Sequence, residues 1–343
     1  MKLLAFFPNI SDGTCFYRGA GVLSELSKID NITITIVEDK FRFLDAKGYD
    51  IAFFQRPDTE NYLITMKALK KMGLKIVLDY DDYLLEVPHE NKYHQVQKLQ
   101  DNPYEKIVAA CLRIADKIIV STDTLAALLG YPEKTVTIKN AFDDYCFKPV
   151  EKFSYNKCVL WRGGLNHKGD IEKYGKDILS IVTDNPDFQF IFFTDIPKRE
   201  DNEVFECISK ELKMLPNFRT MQAVDPISYL QMLPKIAPSL ILTVNDETPF
   251  NDCKSDCAKL EGFYCGALTI HPDWPEWDWG VMKIDSNYLC ERANFMINLV
   301  RNNEPKLSEI YEAELNYVKQ NRMLSNVNKK RLYVFDKIRT DIV

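Results

Sequence analysis

No apolar run in the 343 residues approaches the ~20 residues a membrane-spanning helix needs. The opening Met1–Ile10 is apolar only briefly. It stops at Pro8 and Asn9 without a small-residue cleavage site, so it reads as a first strand and not as a signal peptide. A cytoplasmic protein is the expectation. Glycine and proline are sparse, at 13 and 16 residues, which excludes collagen-like and low-complexity chains. Positive charge is not in excess: 44 Lys and Arg stand against 50 Asp and Glu, and the net charge of −6 argues against coating nucleic acid by bulk charge. The nine cysteines are scattered, odd in number, and form no CxxC pair, so neither a disulfide framework nor a zinc site is expected. Short repeats are missing as well.

What the chain does contain is an alternation of short apolar runs with helical stretches, and it occurs twice. The first series of expected strands is Lys2–Phe7, Ile32–Val37, Asp50–Gln55, Lys75–Asp79, Lys117–Ser121 and Thr135–Lys139. Helices are expected at Asn61–Met72, closed by Gly73, and at Tyr104–Ala115. The second series is Cys158–Arg162, Phe188–Thr194, Phe218–Gln222, Leu240–Val244 and Ala267–His271. Helices are expected between them at Ile171–Thr183, Glu203–Leu212, Ile227–Leu233 and Lys254–Cys265. Near-continuous apolar strands joined by helices mean parallel sheets buried on both faces. The fold class is therefore α/β: two Rossmann-like doubly wound parallel-sheet domains facing across a cleft. The expected domains are 1–148 and 149–319, with the basic final helix of about 320–343 packing back on the first domain.

Ligands of such sheets bind beyond the carboxyl ends of the strands, so residues just after strands carry most weight. Trp161–Asp170 follows a strand and holds Gly163, Gly164, His167 and Lys168 after Arg162. It is either a tight turn with solvated basic residues or an anion cradle at a helix start, for which a diphosphate is the natural guest. Pro249–Ala267 follows another strand. On a helix from Lys254, that lysine and Glu261 share a face, fit either for the two ends of a nucleotide or for a solvated helix surface. Asp79, Asp81 and Asp82 crowd like charge after a buried strand and should raise at least one carboxyl pKa. They can orient a hydroxyl, cap a helix, or bind Mg²⁺ or Mn²⁺ through an Asp-x-Asp pattern; a role without metal is the reading adopted. His89 and His94 fall in an expected surface loop, and His271 has no stronger claim. Trp274, Trp277 and Trp279 are read as loop packing rather than a sugar platform.

These motifs together resemble glycosyltransferases of the GT-B fold, near the retaining family four group, and most of all its divergent bacteriophage members. The resemblance covers nearly the whole chain. It is carried by Phe16-Tyr17-Arg18, Asp50–Arg56, the segment Gly73–Pro88 with its Asp-Asp pair, Trp161–Asp170, and the stretch Phe250-Asn251, Lys254-Ser255, Lys259-Leu260-Glu261 and Gly266. It implies a sugar transferred from a nucleotide-diphosphate-sugar donor, a UDP-sugar above all, to a hydroxyl acceptor with retention, without metal or other cofactor. It places Arg162, Gly163, Gly164, His167, Lys168, Lys254 and Ser255 near the diphosphate, Asn251 beside them, Glu261 on the ribose, and Thr194 and Asp195 near the base. Asp81, Asp82, Arg162 and Lys168 are the expected catalytic set; Tyr17, Arg18 and Arg56 are expected on the acceptor side. A hydroxymethyl-pyrimidine in DNA is one candidate acceptor and a cell-surface glycan another. A sugar-nucleotide epimerase and a non-catalytic sugar-nucleotide-binding module are the alternatives. Two departures from the family pattern stand out. The first Glu of its Glu-x7-Glu motif is replaced by Cys253, and Asp81 fills a position the family gives to His.

Overall fold

The computed structural model describes residues 1–29, 31–37, 41–163, 167–194, 206–271, 275–277, 279 and 288–340. The first half of the chain builds β1 (Lys2–Phe6), α1 (Gly13–Arg18), α2 (Ala20–Leu26), β2 (Thr33–Ile36), β3 (Ile51–Gln55), α3 (Glu60–Lys71), β4 (Lys75–Tyr80), α4 (Lys92–Leu99), α5 (Tyr104–Ile114), β5 (Lys117–Val120), α6 (Asp123–Leu129) and β6 (Thr135–Thr137). Its sheet runs β2-β1-β3-β4-β5-β6 with every pairing parallel. β3 is buried at all five residues, as a strand covered on both faces must be.

The second half adds β7 (Cys158–Arg162), α7 (Lys168–Asp184), β8 (Gln189–Thr194), α8 (Glu206–Lys213), β9 (Phe218–Gln222), α9 (Pro226–Ile236), β10 (Leu240–Leu242), α10 (Pro249–Asp252), α11 (Cys257–Glu261) and β11 (Leu268–Ile270). The second sheet is also parallel, in the order β11-β10-β7-β8-β9. Three helices close the chain: α12 (Leu289–Arg301), α13 (Pro305–Asn321) and α14 (Leu324–Thr340). The polar stretch Asp143–Asn156 lies between the two sheets in sequence.

Strand order reverses between β1 and β3 in the first sheet and between β7 and β10 in the second. Those two switch points are where open α/β sheets leave a crevice at their carboxyl ends. α14 returns across the molecule. Its Leu324, Val327, Val334, Phe335 and Ile338 join Leu3, Ala5, Val22 and Phe53 in one apolar core, and Phe335 meets Phe53 edge-on at 6.2 Å. Asn328 donates to the Val22 carbonyl at 3.1 Å.

Three expectations shift. Residues 92–99 are helical, not loop, because Asn91 caps the helix by accepting from the Tyr93 amide. His89 and His94 face each other there at 3.0 Å, and His94 also meets the Tyr104 hydroxyl at 3.0 Å. The expected helix over Lys254–Cys265 begins only at Cys257. Asp256 is locked to Arg322 by two bonds of 2.8 and 2.7 Å, and the Lys254 carbonyl accepts from the Trp277 indole at 3.4 Å, so the preceding residues are held out of the helix. Lys254 and Glu261 therefore do not share a helical face. Trp277 and Trp279 do pack internally; Trp279 stacks on Tyr317 at 4.9 Å.

Candidate active site

A cavity of about 710 Å³ opens between the two sheets at their switch points. The first half contributes Asn9 after β1, Asp12, Thr14 and Tyr17 around α1, Arg56 after β3, and Asp81 and Asp82 after β4. The second half contributes Arg162 at the end of β7 and Gly163 after it, then His167, Thr243, Lys254, Ser255 and Glu261.

Glu261 is the centre of the second wall. It is only 2% exposed, and a carboxylate so buried must be paired. Its Oε2 accepts from Arg162 Nε at 2.9 Å and from the Tyr229 hydroxyl at 3.0 Å. Its Oε1 accepts from the Tyr17 hydroxyl at 3.2 Å, a bond that crosses from the first half of the chain to the second. Burial and the neighbouring carboxylate push both phenols well above the ordinary tyrosine range. Burial opposes the charge of Arg162, but Glu261 beside it holds the guanidinium above its usual pKa. Only Nε of Arg162 is engaged among the described residues, and the side chain lines the cavity.

Beside it, His167 Nδ1 lies 2.7 Å from Asp170, while Asp170 accepts from the Asp246 amide at 2.6 Å and from Asn251 at 3.3 Å. Burial and then Lys254 lower the His167 pKa, against the pull of Asp170. A carboxylate on Nδ1 favours the proton there, with His167 lining the cavity. The Lys254 ammonium lies over the Phe250 ring at 5.3 Å and makes no hydrogen bond among the described residues; burial lowers its pKa. Ser255 accepts from Asn140 at 2.7 Å at the cavity wall. A Cβ on Gly163 would come within 2.7 Å of the Trp161 ring and 2.9 Å of His167, so that position admits glycine alone without displacement.

On the opposite wall, Arg56 binds both Asp81 and Asp82 through short hydrogen bonds. Arg56 holds a left-handed φ of 45°, an uncommon conformation for a side-chain-bearing residue, fixed by this double pairing and by its amide bond to the Asp79 carbonyl at 3.0 Å. Burial pushes the Asp81 carboxyl up to about 6; Arg56 works against this and the like charge of Asp82 adds to it.

Some expected site residues lie elsewhere. Arg18 is fully buried and clasps Asp79 at 2.8 and 2.9 Å, so both are turned away from the cleft. The crowding expected of three carboxylates reduces to the Asp81–Asp82 pair. Asn251 is 6% exposed and serves Asp170 rather than the cavity surface. Thr194 ends β8, 3% exposed, with its hydroxyl unpartnered among the described residues. Gly164 and Asp195 lie outside the described residues, as does the side chain of Lys168, whose backbone opens α7. Cys253, where the resemblance expects a Glu, is 0% exposed and packs with Phe250 into the core of the first half. The site residues that sequence reading missed are Tyr229, Asn140 and Asp12. Tyr229 sits inside an amphipathic helix with nothing local to mark it; Asp12 carries an N-cap signal, because it accepts from the Cys15 amide at 2.6 Å.

Among the described residues no group of three or more His, Cys, Asp or Glu is arranged to hold a metal ion. No helix among them is long and apolar enough to cross a membrane.

Solved structures share this architecture. The catalytic domain of Arabidopsis thaliana starch synthase IV, bound to ADP and acarbose, superposes with a TM-score of 0.67 at 10% identity over 99% of both chains. A glycosyltransferase from Rickettsia africae ESF-5 gives 0.62 at 14% identity, again over 99% of both. The UDP-GlcNAc 2-epimerase of Neisseria meningitidis, bound to UDP-GlcNAc, gives 0.55 at 13% identity over 98% of this chain and 100% of its own. No family model and no curated protein matches the sequence. The fold is GT-B: two parallel-sheet α/β domains with a cleft between them.

Proposed function

We propose that the protein is a glycosyltransferase that moves a sugar from a nucleotide-diphosphate-sugar donor to a hydroxyl acceptor with retention. The observation that supports this most is the polarity of the cavity: cationic groups and the caged Glu261 line one wall, and the Arg56–Asp81–Asp82 cluster faces them from the other.

In this reading the donor lies on the second half. Glu261 accepts from the ribose hydroxyls. The free nitrogens of Arg162, the ammonium of Lys254, and Lys168 at the start of α7 stabilise the diphosphate as it departs, with the α7 N-terminus adding its dipole. For turnover these groups must act more strongly on the leaving diphosphate than on the intact donor. Asp81 and Asp82 orient the acceptor hydroxyl from across the cleft, a positioning contribution. Charge on the departing group is met by protein cations, so the proposal includes no metal. The neighbouring epimerase keeps a second reading in view, in which the sugar is altered and no acceptor is used.

The test is binding before turnover. UDP and ADP should bind the wild-type chain by calorimetry, and Glu261→Ala should weaken that binding by roughly 1–3 kcal/mol, the loss of charge-assisted hydrogen bonds. Unchanged affinity in the folded variant removes Glu261 from the donor site. Product analysis then separates the two readings: an altered free sugar in the absence of acceptor supports epimerisation.

A further inference from the structure

We infer that the acceptor is an uncharged, hydroxyl-rich sugar, and not a nucleic acid or a phosphorylated compound. The inference rests on the transferase reading and adds the chemistry of its second substrate.

The two walls of the cavity differ in what they have left to offer. The donor wall holds Arg162 and Lys254 against a single carboxylate, Glu261, already engaged by three donors. An anion is welcome there. Among the described residues the acceptor wall holds one cation, Arg56, against Asp12, Asp81 and Asp82. Arg56 is consumed by Asp81 and Asp82, one oxygen each. Asp12 spends one oxygen on the Cys15 amide. One oxygen of each of these three carboxylates is left without a partner among the described residues. Among the described residues the wall therefore presents hydrogen-bond acceptors and no uncommitted cation of its own; Lys254, whose charge Asp82 favours, belongs to the opposite wall.

A ligand matching that wall must donate. Sugar hydroxyls do so, and Ser11, Thr14 and Asn91 add neutral polar contacts along the same side. A nucleotide flipped out of a duplex brings its own flanking phosphates to the mouth of the pocket, and those would meet Asp12 and Asp82. Like charges juxtaposed at an interface cost several kcal/mol. The overall charge of −6 offers no compensating long-range attraction.

The experiment uses the full chain with UDP-glucose, UDP-N-acetylglucosamine and ADP-glucose in turn. Nucleotide release and sugar transfer are measured with methyl glucoside, methyl N-acetylglucosaminide and maltose as neutral acceptors. Glucose 6-phosphate and a hydroxymethylcytosine duplex are the anionic arms. The neutral sugars should stimulate release and be glycosylated, with the anionic arms weaker by at least roughly tenfold. Asp12→Asn keeps the helix cap but removes a charge, and should narrow that gap. Equal or preferred use of the duplex or the sugar phosphate overturns the proposal. So does donor hydrolysis that no neutral sugar stimulates. A chain that neither binds UDP or ADP nor releases nucleotide from any donor fails at the earlier step, and the transferase reading falls with it.

Discussion

Asp81 combines burial with both a cationic and an anionic neighbour, and its pKa near 6 puts its titration within reach of an ordinary pH profile. If the ionised pair orients the acceptor hydroxyl, turnover should fall as pH drops through about 6. The sign of each neighbour's influence follows from charge. Asp82 disfavours a second negative charge, so Asp82→Asn should move the acidic limb to lower pH. Arg56 favours it, so Arg56→Gln should move the limb upward. Profiles that stay in place in both variants would take Asp81 out of the rate-determining ionisation. The same pair bears on metal. Arg162 and Lys254 already face the expected diphosphate position, so turnover should survive EDTA; loss on chelation with recovery in Mn²⁺ would put an ion on Asp81 and Asp82. The carboxylate crowding was legible in the sequence, because Asp79, Asp81 and Asp82 follow an apolar strand. Which of them faces the cleft was not. Arg18 takes Asp79 into the core from 61 residues away, a pairing no local pattern announces.

At the scale of elements, the turn from β7 into α7 concentrates the most constraint. Trp161 is 2% exposed, so its ring cannot yield to a Cβ at Gly163, and His167 is held against it with the ring planes at 82°. Gly163→Ala should cost about 1–3 kcal/mol of stability, the usual penalty for overpacking. It should also lower turnover by displacing His167 from Asp170, read by denaturation and by initial rates. An active variant of wild-type stability would mean that the turn relaxes freely. The strands of both sheets were readable because burial on two faces leaves continuous apolar runs, such as Ile51–Gln55. The segment after β10 was not, because its helix start is decided by distant partners. Arg322 and Trp277 fix Asp256 and Lys254, and a periodicity count assigns the lysine to a helix it does not enter. Cys253, standing where the resemblance expects a Glu, has a matching explanation. That position faces the first half's core, where Cys253 fits among apolar neighbours and its carbonyl accepts from Thr122 at 2.9 Å.

Across the whole molecule, the first sheet is completed by the last helix. Phe335 is 0% exposed and packs on strands laid down at the other end of the sequence. Phe335→Ala should destabilise by about 3–5 kcal/mol, as large-to-small core changes do, measurable by chemical denaturation. A loss under 1 kcal/mol would mean that α14 is only loosely held. This arrangement has a consequence during synthesis. Chains emerge at roughly 5–20 residues per second, so about ten to forty seconds separate the completion of β6 from the appearance of α14. Through that interval Leu3, Ala5, Val22 and Phe53 lack the cover that Leu324, Val327 and Phe335 later give them. The nascent first half thus carries an uncovered apolar face, and translation speed over the second half sets how long that face stays open to water.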